Sequence, residues 1–186
     1  MSRSGLILTT DRLLLTPWQS GDWADFHHIA ADPEVMRYIT GGAPWSKEQA
    51  REFVERQVIH YLRHGFCRWK AVSKEVGRLV GFCGAELIVL EGLAEVEIGW
   101  WLARHAWGRG LETEAASSAL EDCLGRVGLR RVVSIAHPDN AASRRVMEKI
   151  GMAFERDAWY NGAPVVVYGV RSSGADLSPA RPRAPR

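Results

Sequence analysis

The sequence predicts a mixed α/β (α+β) fold, a mostly antiparallel sheet with one parallel junction and helices on both faces. Three observations carry this. The strand-like stretches 66–73, 79–89 and 93–102 are joined by Lys74-Glu75-Val76-Gly77 and Glu91-Gly92, and such short turns join antiparallel neighbours. Stretch 93–102 then reaches a further strand, 132–136, through a helix, the crossover that parallel pairing requires. Two extended stretches around Asn161-Gly162 close the chain as a hairpin.

Each element has its own reason. Residues 6–8 and 13–15 are short apolar runs around Asp11-Arg12, an opening strand or a bent pair of strands. Ser20 or Asp22 caps a helix with Trp23, Phe26, Ile29 and Ala30 at helical spacing, ending near Asp32-Pro33, and a short turn follows over 35–38. After the loop Gly41-Gly42-Ala43-Pro44-Trp45, Ser46 and Gln49 form a capping box. The helix behind it has a stripe of Ala50, Phe53, Val54, Val58, Tyr61 and Leu62, and His64-Gly65 closes it.

Beyond the meander, a glycine-broken loop opens a helix reaching about Leu124, with Ala115, Ala116, Ala119, Leu120 and Cys123 turned to the sheet. A strand over 132–136, a helix over 140–150 and the hairpin strands 153–160 and 165–171 complete one domain, residues 1–171. From Ser172 onward Ser, Gly, Pro and Arg predominate, and residues 172–186 are expected to be a disordered tail.

Composition narrows the function. The formal net charge is +2, and the tail carries three arginines against Asp176 alone, so the folded part is near neutral and a nucleic-acid partner is not expected. Cys67, Cys83 and Cys123 are widely spaced and make no C-x-x-C pair, which suits a reducing, cytoplasmic setting. No apolar run approaches the roughly 18 residues of a membrane span, so no membrane partner is expected. His60 and His64 share a helix face but lack a third ligand, and no metal is expected.

The segment from Val96 to Ala115 carries the chemistry. A strand runs into Trp107-Gly108-Arg109-Gly110 and then a helix, and a helix N-terminus without bulky side chains in front of it binds anions through free backbone N–H groups. Taken alone, the glycine pair is also compatible with a plain strand-to-helix turn. A P-loop would need Gly-Lys-Ser/Thr, and a dinucleotide fingerprint its third glycine.

Six ordered segments set the loop in context: Leu8-Thr-Thr-Asp-Arg-Leu-Leu-Leu-Thr-Pro-Trp, Asp32-Pro-Glu-Val-Met-Arg-Tyr, Leu79-Val-Gly-Phe-Cys-Gly, Glu97-Ile-Gly-Trp-Trp-Leu, Trp107-Gly-Arg-Gly-Leu-Glu-Thr-Glu-Ala and Asn140-Ala-Ala-Ser-Arg-Arg-Val-Met-Glu-Lys-Ile-Gly-Met. Together they resemble the GNAT acetyltransferase superfamily, and within it the RimJ/RimL branch, from about residue 6 to 171. The resemblance implies a GNAT-type sheet and an acetyl-CoA-dependent enzyme acting on an amine. It also implies that the backbone of Gly108, Arg109, Gly110, Leu111, Glu112 and Thr113 holds the coenzyme pyrophosphate.

The chain departs from the superfamily pattern in two places. The pyrophosphate motif has Gln or Arg where this chain has Trp107, and Gly or Ala where it has Glu112. The tryptophan is usual for the branch, whereas Glu112 sets a carboxylate near a polyanion, so that it either points away or is offset by Arg109. Where many relatives place a proton-donating tyrosine, Met147 stands, and a thioether donates no proton. In the RimJ/RimL pattern a serine one turn earlier takes that part, and Ser143 matches it.

Amine acetylation needs a deprotonated amine, a polarised thioester carbonyl and a proton for the leaving thiolate. Where strand 93–102 parts from strand 132–136, the backbone N–H groups of Trp101 and Leu102 are candidates for the carbonyl. Glu97 shares a strand face with Glu95 and Trp101; it is the candidate base, through a water, ahead of Glu95, with deprotonation by bulk solvent and a structurally paired or solvated glutamate as the competing readings. Ser143 is the candidate acid. Asn140 caps its helix and is also placed to bond the pantetheine arm. Arg104 and Arg109 flank the loop as phosphate contacts or solvated side chains, and His105 and His137 read as turn residues. Trp45 and Trp159, each beside a glycine turn, are candidate walls of the acceptor groove.

The predicted activity is direct acetyl transfer in a ternary complex of acetyl-CoA, enzyme and a primary amine, either a protein N-terminus or a small molecule. A non-catalytic acyl-CoA-binding sensor or scaffold is the alternative, on account of Glu112 and Met147. A homodimer is compatible with the sequence.

Overall fold

A computed structural model describes residues 6–172, so the predicted tail falls outside the described residues except for Ser172. The opening runs form a pair: β1 (Leu8–Thr9) lies antiparallel to β2 (Leu13–Thr16) around a turn closed by Thr10 N–H on Leu13 O at 3.0 Å. Three helices follow, α1 (Trp23–Ala30), α2 (Pro33–Met36) and α3 (Lys47–His64). α1 is preceded by a 3-10 turn, Ser20–Asp22, and Asp22 does not cap it through its side chain. That carboxylate instead accepts the Gln19 N–H and the Lys70 ammonium, both at 2.7 Å. α2 begins earlier than the predicted 35–38 because Asp32 accepts the Glu34 N–H at 2.9 Å and Pro33 suits a first helical position. The Ser46–Gln49 capping box forms as expected, and α3 ends at Gly65 in the left-handed conformation.

The sheet has eight strands in the order β1-β2-β3-β4-β5-β6-β8-β7. β3 (Arg68–Ser73), β4 (Leu79–Leu90) and β5 (Leu93–Leu102) form the antiparallel meander, and α4 (Leu111–Leu124) carries the chain over to β6 (Arg131–Ala136). β5 and β6 are the one parallel pair among the described strands, with a single register match, Glu97 with Val133. After α5 (Ala141–Lys149), β7 (Ala153–Tyr160) and β8 (Ala163–Arg171) form the hairpin, and β8 inserts between β6 and β7.

Strand alternation divides the core between two faces. Phe82 meets Phe26 of α1, Phe53 of α3 and Trp101 at ring distances of 5.9, 5.1 and 5.1 Å. Its neighbour Cys83 faces the other way, towards Cys123 and Glu112 of α4. The predicted α4 stripe of Ala115, Ala116, Ala119, Leu120 and Cys123 is buried throughout. The α3 stripe needs correction: Leu62 is 75 % exposed, while the polar Gln57 is fully buried. Gln57 sits in the core because it accepts the Arg68 backbone N–H at 2.9 Å and donates to Glu86, and a satisfied amide is the form in which polarity is tolerated there.

Candidate active site

The glycine-broken loop is a backbone cradle. Gly108 and Gly110 have φ of +69° and +76°, a region that side chains disfavour. Gly110 is the N-cap of α4 with no side-chain cap. The first helical bond is Glu114 N–H to Gly110 O at 3.1 Å, so the N–H groups of Leu111, Glu112 and Thr113 have no partner within the helix. A narrow anion fits such donors, and the absence of Cβ atoms at both glycines lets it approach.

The loop is braced from behind. Glu114 accepts Thr10 Oγ1 at 2.6 Å, the Arg12 N–H at 2.8 Å and Arg12 Nε at 2.6 Å. Arg12 also donates through Nη1 to Arg109 O at 2.8 Å. Despite the cost of its burial, these donors hold the Glu114 carboxyl below its usual range. The Trp107 indole donates to Leu102 O at 2.7 Å and so fixes the turn to the end of β5.

The basic residues near the loop are only partly turned to it. Arg109 pairs with Glu75 at 2.8 Å, so it does not offset Glu112. Arg104 and His105 line a cleft of about 620 Å³ beside α1 together with Asp25, His28 and Arg78. Glu112 lies on the inward stripe of α4, half-buried and without an ion pair among the described residues. Burial raises its carboxyl above the usual range.

Past the Glu97–Val133 match, β5 and β6 separate. Ala103 N–H bonds Val80 O at 2.8 Å, and alternation then turns the backbone of Trp101 and Glu97 towards β4 and that of Ile98, Trp100 and Leu102 towards β6. Leu102 therefore presents its N–H to the opening. The Trp101 backbone is committed to Phe82 across the ladder, and Trp100 takes its place as the second open N–H. Trp101 instead turns its indole to the face of α1 and α3, stacked at 6.2 Å on both Phe26 and Phe53.

Glu97 stands where the ladder opens. It is 3 % exposed, and the nearby Ile135 backbone of β6 lowers its proton affinity slightly. It leans towards the strand end, since a Cβ on Gly99 would lie 3.0 Å from Oε1. Arg68 Nη2 bonds Glu97 Oε2, while Arg68 Nη1 lies 3.4 Å from Glu86 Oε1. Burial pushes the Glu97 carboxyl above its ordinary value, and the Arg68 guanidinium holds part of that back. The Tyr160 hydroxyl is near enough to this group to sense Arg68, Glu97 and Glu86. Sequence reading missed Arg68, Glu86, Gln57 and Tyr160. The available signal was a pair of in-strand glycines, Gly84 and Gly99, directly opposite each other in the ladder.

On the α4 side, Asn140 caps α5 by accepting the Ser143 N–H at 3.1 Å. Ser143 is partly exposed one turn above Met147, which is 1 % exposed and fills the core. Trp45 packs 4.8 Å from Trp101, beside the opening. Trp159 is 63 % exposed on the outer side of β7, its N–H on Glu91 Oε1 at 3.1 Å, and the inward neighbour on that hairpin is Tyr160. Tyr38, just after α2, stacks on His137 at the end of β6 at 5.6 Å and so spans the mouth of the opening. His60 is used by backbone on both ring nitrogens, Phe66 O and the Leu87 N–H.

Comparison with known proteins decides the family. A family model described as an acetyltransferase (GNAT) domain matches residues 12–153. The chain belongs to the GNAT acetyltransferase family. This acetyltransferase is 33 % identical over 166 residues to the uncharacterized protein YkkB of Bacillus subtilis (strain 168), covering 89 % of this chain and 95 % of YkkB. A GNAT-family acetyltransferase structure from Bacillus anthracis superposes with TM-score 0.74 at 25 % identity, covering 91 % of this chain and all of that one. RimL, a ribosomal L7/L12 alpha-N-protein acetyltransferase solved in complex with coenzyme A, shares the fold at TM-score 0.73 and 19 % identity, over 89 % of this chain and 98 % of RimL. No helix among the described residues of the acetyltransferase is long and apolar enough to cross a membrane.

Proposed function

We propose that this acetyltransferase takes acetyl-CoA as donor and transfers its acetyl group to a primary amine by direct attack in a ternary complex. The observation that carries the reading is the placement of Glu97, a buried carboxylate at the opening between β5 and β6, beside strand N–H groups that the ladder leaves free. The α4 N-terminus and the cradle of Gly108 and Gly110 would hold the pyrophosphate. Asn140 would meet the pantetheine arm, and the N–H groups of Trp100 and Leu102 would polarise the thioester carbonyl.

The amine nitrogen bonds to the carbonyl carbon and the carbon–sulfur bond breaks. Glu97 takes the proton that the amine loses, and Ser143 gives one to the departing sulfur. Transfer of a proton back to Ser143 through solvent leaves amide, free thiol and both side chains as they began. The acceptor enters on the face of Trp45, Trp101 and Tyr160, opposite α4.

The test is thiol release from acetyl-CoA with a panel of N-terminal peptides, polyamines and aminoglycosides, using the native protein and Glu97→Gln. At least one amine should give turnover, with an acidic limb in kcat/KM above the ordinary carboxylate range that Glu97→Gln removes. Coenzyme binding with no release for any amine would refute the enzyme reading in favour of the sensor, for which Glu112, without an ion pair among the described residues, is the supporting observation. Failure to bind the coenzyme at all would sink both.

A further inference from the structure

We propose that Arg68 is the positioning residue of the base, held by Glu86 and Gln57 so that its guanidinium fixes the Glu97 carboxylate at the opening between β5 and β6. The proposal rests on the reading of Glu97 as base and adds to it three residues that carry no role in that chemistry so far.

The geometry begins with Gly84 of β4 and Gly99 of β5, which stand opposite each other. With no side chain at either place, the face carries a trough between the Phe82–Trp101 pair and the Glu86–Glu97 pair. Arg68, paired with Gly84 across β3 and β4, lays its guanidinium in that trough, 5.6 Å from the Phe82 ring centre. One Nη bonds Glu97 and the other lies 3.4 Å from Glu86. Two carboxylates directly opposite on one sheet face repel each other, and a planar fork between them satisfies both at fixed angles. Gln57 secures the arrangement from α3, donating to Glu86 and accepting the Arg68 backbone N–H.

The assembly has a functional shape. Two buried carboxylates share one buried guanidinium beneath the acceptor face, where an amine arrives and sheds a proton. Among the described residues, Tyr160 from β7 also senses Glu97, and Arg56 from α3 pairs with Glu86 at 3.8 Å from the rim. His60 senses Glu86 and Arg68 but is used by backbone on both nitrogens. Glu95, on the same face of β5, is taken by Arg131 at 3.3 Å. Control of Glu97 thus falls to Arg68 and Glu86, which act in opposite directions: burial apart, the guanidinium lowers its proton affinity and the second carboxylate raises it.

Two charge-removing variants separate this from a structural role. Arg68→Met should move the acidic limb of kcat/KM up by about one pH unit or more, and Glu86→Gln should move it down, by about half a unit. Arg68→Lys should restore the limb only in part, because an ammonium lacks the fork. Limbs that stay in place, or that move the same way in both variants, overturn the proposal. The Glu97 carboxyl midpoint, followed by NMR in protein with labelled glutamate, reads the same shifts without turnover and distinguishes the two failures. A midpoint unmoved in Arg68→Met refutes the positioning role. A midpoint that moves while Glu97→Gln keeps the native rate profile refutes the base assignment, and the catalytic part of Arg68 with it. Should Arg68→Met not fold, Glu86→Gln and Arg68→Lys still decide by the sign of their shifts.

Discussion

Replacing Glu112 with alanine should tighten coenzyme binding, an unusual outcome for a change inside a binding loop. Among the described residues the carboxylate has no cation partner, since Arg109 is taken by Glu75 at 2.8 Å and Arg12 by Glu114 at 2.6 Å. It sits in the first turn of α4, roughly one helical turn, about 6 Å, from where a pyrophosphate would meet the free N–H groups. At an effective dielectric of about 40–80, two unit charges at that distance repel by about 0.7–1.4 kcal/mol. Screening at physiological ionic strength roughly halves this. Against two phosphate charges the total is about 0.7–1.4 kcal/mol, or about a threefold to tenfold gain in affinity on removal. Stability should move the other way or stay level, because an acidic residue in the first turn favours the helix by about 0.3–1 kcal/mol. Burial raises the Glu112 carboxyl, so falling pH neutralises it early and the native protein should bind more tightly as it does. The alanine variant lacks that increment. Calorimetric titration of both proteins with coenzyme A between pH 5 and 8, with thermal melts alongside, checks each sign. Weaker binding in Glu112→Ala, or identical pH slopes, would refute the reasoning.

Three other outcomes follow from the geometry. Ser143→Ala should lower kcat by about a hundredfold, the scale of a lost general acid, with coenzyme affinity unchanged in the same titration. Gly99→Ala places a Cβ 3.0 Å from Glu97 Oε1, so acetyl transfer should fall while the melting temperature changes little, and equal losses in both would count against a site effect. Glu114→Ala removes an acceptor of charge-assisted bonds that ties Thr10 and Arg12 to α4. A loss of about 2–3 kcal/mol is expected, hence a melting temperature lower by roughly 4–12 °C, together with weaker coenzyme binding because Arg12 also holds the loop through Arg109 O.

Local rules made much of the fold legible. The Ser46–Gln49 box, the Asn140 cap, the alanine stripe of α4 and the turns of the meander depend on residues a few positions apart, and their elements formed near the predicted bounds. Partnerships across the fold were not legible. The predicted burial of Leu62 failed because helical spacing cannot reveal that Gln57 is needed beneath Glu86, an element away. The hairpin at Asn161-Gly162 was readable, while the insertion of β8 between β6 and β7 depends on which edge remains free after the crossover. At the site, the glycine-broken turn was readable from the strand-turn-helix order, and Glu97 was a candidate from strand alternation. The choice between Trp101 and Trp100 required the register with β4, because alternate backbone groups point to opposite neighbours.

By itself the sequence determined the helices, the meander, the glycine-broken turn at the α4 N-terminus and an acetyltransferase resemblance borne by six ordered segments. All of these are set by short-range spacing and turn chemistry. The tertiary structure alone decided that Glu97 shares Arg68 with Glu86, that Glu112 has no ion pair among the described residues and that Tyr160 rather than Trp159 turns inward. Those are long-range pairings, fixed by strand register and by the competition of buried charges for one guanidinium.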